Sequence, residues 1–139
     1  MVFIVDDGGK FNCPINKIWE LNASEGKHPH ASLRNQKAEP AGDNMMILSS
    51  EVTIAGQNVK DKAKMNMMPP LGYSLEWLEG PFTDSKAFQY YTPEGNKTRV
   101  TVVGEFKSPN LSDAQLKKEV LNFLERVFEE DQTNLKNLK

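Results

Sequence analysis

Ser112-Asp-Ala-Gln-Leu-Lys-Lys-Glu-Val-Leu-Asn-Phe-Leu-Glu-Arg-Val-Phe-Glu-Glu-Asp-Gln-Thr-Asn-Leu-Lys-Asn-Leu138 contains neither glycine nor proline. At 100° per residue, Leu116, Val120, Phe123, Leu124, Val127, Leu135 and Leu138 fall on one face. Lys117, Lys118, Glu119, Glu125, Arg126 and Glu129 mostly fall outside it. Ser112 is a good N-cap, because its hydroxyl can accept from an unpaired first-turn N–H, and Asp113 suits the positive end of the helix dipole. The stretch therefore predicts one amphipathic helix about 40 Å long at 1.5 Å per residue.

Upstream, from about Asn35 to Lys107, the period changes from helix to strand. Met46, Leu48, Ser50, Val52 and Ile54 alternate with Ile47, Ser49, Glu51 and Thr53, and Gly56-Gln-Asn58 predicts a hairpin turn. Val59, Ala63, Met65 and Met67 then share one parity, with Lys60, Lys62, Lys64 and Asn66 on the other. That alternation describes a sheet with one buried face and one wet face. Pro69-Pro70 breaks the chain. Tyr73, Leu75 and Trp77 form a further strand, ended by Glu79-Gly-Pro81. Ala87 to Tyr91 is another, turned by Pro93-Glu-Gly-Asn96, and Val100, Val102, Gly104 and Phe106 make the last.

The opening segment, Val2 to Asn12, predicts a strand interrupted at Gly8-Gly9 by a bulge or tight bend. Pro14 suits the first turn of a short helix carrying Ile15, Ile18, Trp19 and Leu21, closed by Asn22-Ala-Ser-Glu-Gly26. A second brief helix or turn is expected near His30 to Arg34, and a strand near Gln36 to Glu39. The sum is an α+β domain: an antiparallel sheet of about six or seven strands, two short N-terminal helices and one long C-terminal helix. Such a sheet exposes an apolar face that something must cover, and only the terminal helix is long enough. One helix cannot fill the concave face of a strongly curved sheet, so a cavity is expected beneath it.

The 139 residues fit one domain, 1–139, large enough to bury roughly two-thirds of its unfolded surface. Seventeen basic side chains face 19 acidic ones, for a net charge of -2 with the signs interspersed, so a basic footprint for nucleic acid is missing. No run approaches the roughly 20 apolar residues of a membrane span, which speaks against stable membrane insertion. Met1-Val-Phe-Ile-Val5 followed by Asp6-Asp7 lacks the basic leader of a secretory signal, and Cys13 is the only cysteine. A cytoplasmic protein is expected.

Phe11-Asn-Cys-Pro-Ile-Asn-Lys-Ile-Trp19 and Leu124-Glu-Arg-Val-Phe-Glu-Glu-Asp131, with Tyr73 to Trp77 and Glu79-Gly-Pro81 between them, resemble the START/Bet v 1-like superfamily. This superfamily is also described as helix-grip, SRPBCC or polyketide cyclase-like, and a microbial branch of it is expected. The resemblance covers nearly the whole chain. It implies a helix-grip fold with a cavity for an apolar small molecule of lipid, sterol or aromatic type. It does not imply catalysis, because the superfamily ranges from carriers to cyclases.

On that reading the cavity is lined by Trp19, Met46, Leu48, Met65, Met67, Tyr73, Trp77, Phe88, Tyr90, Phe106, Phe123 and Val127. Methionine is unbranched and polarizable, which suits a wall that adapts to an apolar guest, although it fills ordinary cores equally well. Two carboxylates fall on apolar parity: Asp61 beside Ala63 and Met65, and Asp131 near the centre of the helical stripe. A buried carboxylate is costly unless paired, so either is a candidate acid or base. The plainer expectation places Asp61 at a strand end in water, and Asp131 beyond the sheet or against a basic or N–H group. His28 and His30 flank Pro29 without a third ligand at metal-site spacing, so a surface loop is expected there. Cys13 is read as packing. No phosphate loop and no nucleophile elbow is present, and neither cofactor nor metal is expected.

Three functions follow in order. The first is a noncatalytic carrier or sensor of an apolar ligand. The second is a cyclase or isomerase using a cavity carboxylate or tyrosine. The third is a homodimeric interaction module.

Overall fold

The computed structural model describes residues 1–23 and 30–138. Strand β1 (Val2–Phe11) leads into helix α1 (Ile15–Ala23), followed by six strands: β2 (Arg34–Gly42), β3 (Met45–Ile54), β4 (Gln57–Met68), β5 (Gly72–Glu79), β6 (Lys86–Glu94) and β7 (Lys97–Phe106). Helix α2 (Asp113–Lys136) closes the chain. The seven strands form one open, curved sheet in the order β1-β7-β6-β5-β4-β3-β2, every neighbouring pair antiparallel. Each of β2 through β7 pairs with its sequence neighbour, so short hairpins suffice. Only β1 crosses over, to lie beside β7.

Local chemistry shifts some boundaries from those the sequence suggests. The β3–β4 hairpin turns at Ala55-Gly56, both in the left-handed region, and Gln57 already pairs with Ile54. A two-residue loop with positive φ at both positions matches the twist of the flanking strands, so it wins over a turn at Gly56-Gln-Asn58. Likewise Pro93 and Glu94 belong to β6, opposite Thr98 and Lys97, leaving Gly95-Asn96 as the turn. Of the two short N-terminal helices expected, the described residues contain α1 alone. His30 to Leu33 is a turn closed by the Leu33 N–H on the His30 carbonyl, and Arg34 already belongs to β2.

The bulge in β1 decides what α2 can reach. Asp6 pairs with Val102 and Gly9 with Val100, so β1 takes three steps where β7 takes two. The extra residue flips the parity: Ile4 and Phe11 both point inward although they differ by an odd number of positions. Phe128 of α2 then stacks on Phe11, with ring centroids 4.6 Å apart. A Cβ on Gly9 would sit 2.7 Å from Val100 Cγ1 and 3.0 Å from the Phe128 ring. Glycine is therefore required where helix and sheet approach.

The N-terminus of α2 is pinned by a reciprocal cap. Ser112 Oγ accepts from the Gln115 N–H, and Gln115 Oε1 accepts from the Ser112 N–H. Beyond the cap, Leu116, Val120 and Phe123 pack into a core of Ile4, Val52, Ile54, Trp77, Phe82 and Phe106. Phe82 is nearly fully buried although it lies in the β5–β6 connection, where no periodicity marks it. Ser85 holds that connection inward, its hydroxyl accepting from the Lys107 N–H and donating to the Lys107 carbonyl. A second core gathers Phe11, Ile18, Tyr91 and Val100, with Phe128 and Leu135 of α2 against it. No helix of the described residues is long and apolar enough to cross a membrane.

Truncating Phe106, which contacts both Trp77 and Phe82, removes the centre of the first core. Phe106→Ala is expected to lower unfolding free energy by roughly 3–5 kcal/mol, read from urea denaturation.

Candidate functional site

Between the two cores, under α2, the sheet and helix enclose a cavity of about 500 Å³. Leu48, Ala63 and Met65 form one wall, and Tyr73, Leu75 and Trp77 continue it across β5. Val100 and Val102 of β7 lie beside Gln89, and Phe123, Leu124, Val127 and Phe128 form the roof. The inward parity of successive strands supplies the walls, while the pitch of α2 supplies the roof.

Six of the twelve expected lining residues are there: Leu48, Met65, Tyr73, Trp77, Phe123 and Val127. The other six are elsewhere, each for a packing reason. Gln89 opposes Val102 and Tyr91 opposes Val100, so those two face inward and their neighbours Phe88 and Tyr90 face out. Phe106 is consumed by the first core. Trp19 sits on α1 edge-on to Tyr91, its indole N–H donating to the Pro70 carbonyl. Met46, directly opposite Met65 near the start of β3, and Met67, two residues beyond Met65 near the end of β4, keep inward parity but are half-buried outside the lining. Alternation with the polar Gln89 favours Phe88 and Tyr90 as the inward pair, whereas pairing with β7 turns Gln89 inward, so the polar side chain faces the cavity and the aromatic ones do not.

His30 is not on a free surface loop. Its ring is 6% exposed, with Nδ1 3.2 Å from Glu130 Oε1 and Nε2 3.4 Å from Asp131 Oδ1. Each ring nitrogen therefore faces a carboxylate oxygen of α2. Glu130 also accepts from the Ser32 hydroxyl at 2.7 Å and from the Ser32 N–H. The turn before β2 is thus tied to the last third of α2, with His30 and Asp131 on the cavity wall. That tie realises one of the alternatives for Asp131, pairing with a basic group. His28 lies outside the described residues. Glu130→Ala should raise amide hydrogen exchange at Ser32 by about tenfold or more while the strands stay protected.

Asp61 does not sit at a strand end in water. It lies inside β4, opposite Ser50 of β3, and is only 8% exposed because β4 extends four residues before it. Oδ1 has no hydrogen-bond partner among the described residues. Gly80, at φ +110°, passes so close that a Cβ would lie 3.0 Å from Oδ1. Burial pushes the carboxyl up from 3.8 to about 7, opposed by a hydrogen bond from the Trp77 side chain. Its folded-state value lies above its unfolded one, so the native state holds a proton that the unfolded chain releases. Stability from this group is greatest near pH 4 and falls as pH rises toward about 7. Asp61→Asn should therefore stabilise the fold at about pH 8 by on the order of 4 kcal/mol, a gain that disappears near pH 4. Denaturant unfolding at both values would read it.

Cys13 packs against the second core, and burial raises its thiol above the usual value. Among the described residues no group of three or more His, Cys, Asp and Glu side chains is placed to hold a metal ion.

No protein-family model matches the chain, and no curated protein does. Solved structures do. An aromatase/cyclase, ZhuI from Streptomyces sp. R1128, superposes with a TM-score of 0.81 at 10% identity, over 97% of this chain and 93% of that one. A START superfamily protein from Mycobacterium smegmatis gives 0.75 at 15% identity, over 99% of each chain. Ara h 8.0201 gives 0.71 at 9% identity, also over 99% of each. The fold is START/Bet v 1-like, an α+β helix-grip.

Proposed function

We propose that this protein binds one apolar small molecule, of lipid or aromatic type, in the cavity beneath α2 and acts as its carrier or sensor. The observation that carries the reading is the enclosure of about 500 Å³ by the inner face of the sheet and the apolar stripe of α2. A volume of that order suits a single small ligand, and side chains of leucine, methionine, tryptophan and phenylalanine favour an apolar body over water. The START and aromatase/cyclase likenesses support the same ligand class.

One observation favours a second reading, acid–base chemistry of cyclase or isomerase type. Asp61 faces the cavity with a carboxyl raised to about 7, near the pH at which an acid or base works best. On this reading the ligand is held as in the first and Asp61 exchanges a proton with it. Turnover of a bound polyketide-like or enolisable compound that Asp61→Asn abolishes, with binding retained, would separate the two.

The primary test is native mass spectrometry of protein purified without detergent, with a Nile red titration of the same sample. A one-to-one adduct, or saturable dye uptake, is the expected result. Leu48→Trp, which places an indole in the cavity, should weaken dye binding by about tenfold while far-ultraviolet circular dichroism is unchanged. Absence of both adduct and dye uptake in the unsubstituted protein would sink the binding reading.

A further inference from the structure

The cavity is acidic. Asp6, Asp61, Glu125, Glu129 and Asp131 contribute to its lining, whereas no lysine or arginine of the described residues does. Among the described residues His30 is the one basic side chain there, and it is already engaged by Glu130 and Asp131. Glu125 and Glu129 are exposed on α2, and so mark the opening, while Asp61 is buried in the wall with Oδ1 unpartnered. The Trp77 side chain donates to this carboxylate, and in such a place a proton or a further donor would stabilise it more. An anionic head group would meet repulsion at the rim and again at depth. A cationic one would be attracted at both.

We infer that the ligand is an apolar molecule bearing a basic nitrogen, whose ammonium group is held by Asp61 while its hydrocarbon body lies against Met65, Trp77 and Phe123. The inference rests on the binding reading above and deepens it by naming the head group. It excludes free fatty acids from the ligand class. An N–H donor on a positive nitrogen forms the stronger, charge-assisted type of hydrogen bond, so the preference should be large enough to measure.

The test uses three probes with one skeleton, decylamine, decanol and decanoate, titrated into the intact protein by calorimetry near neutral pH. Decylamine should bind about tenfold or more tightly than decanol, and decanoate more weakly than either. Asp61→Asn should bring decylamine to within about twofold of decanol, both measured in the variant. Equal affinity for amine and alcohol, a preference for decanoate, or an amine preference that survives Asp61→Asn overturns the inference while leaving the cavity reading intact. Failure of all three probes to bind overturns both. The comparison within the unsubstituted protein stands even if the variant does not fold.

Discussion

One amphipathic helix covers the inner face of a seven-stranded sheet, and the rest of the structure follows from how little of that face it can touch. The helix is a cylinder about 10 Å across with its side chains, and the sheet is concave and far wider. Contact concentrates at two places, where Leu116, Val120 and Phe123 meet the first core and where Phe128 and Leu135 meet the second. Between them the surfaces part. The cavity is what that mismatch leaves, and its position is set by the two contacts that bracket it.

Both contacts depend on backbone detail rather than on hydrophobicity alone. At the second core, the bulge between Asp6 and Gly9 turns Phe11 inward, and the missing side chain at Gly9 admits the Phe128 ring. At the first, the β5–β6 connection folds Phe82 under Trp77 and Phe106, held by the Ser85 hydroxyl on Lys107. The tie of His30 and Ser32 to Glu130 and Asp131 adds a polar seam along the last third of the helix. Removing any of these would let α2 slide relative to the sheet and change the shape of the space beneath it.

Polar groups give that space its character. Leucine, methionine, valine and aromatics share the lining with polar side chains, and Asp61 is the carboxylate most deeply buried among them. A carboxyl raised to about 7 is neutral or charged according to small changes in surroundings. It can therefore serve as an acceptor for a cationic guest, and it can also move a proton. The first role gives selectivity to a carrier and the second gives chemistry to an enzyme. The geometry of one side chain thus underlies both functional readings.

The long helix was legible in sequence because its stripe repeats at 3.6 residues for more than five turns without glycine or proline, and its cap obeys a local rule. The strands β3, β4, β5 and β7 were legible because polar and apolar residues alternate, and from these the α+β helix-grip class followed. Sequence therefore located Leu48, Met65, Tyr73, Trp77, Phe123 and Val127 on the correct faces. It could not orient Phe88 and Tyr90, since the polar Gln89 between them marks the wrong face as wet and the true parity is set by pairing with β7. Nor could it find Phe82 or His30, which occupy connections and are buried by segments distant in sequence. Asp61 was visible as a charge on apolar parity, but whether it met water depended on where β4 began and on how closely Gly80 passed it. Periodicity reports which way a side chain points. Only the tertiary structure decides what stands opposite, because burial and electrostatic environment come from chain segments that sequence does not place side by side.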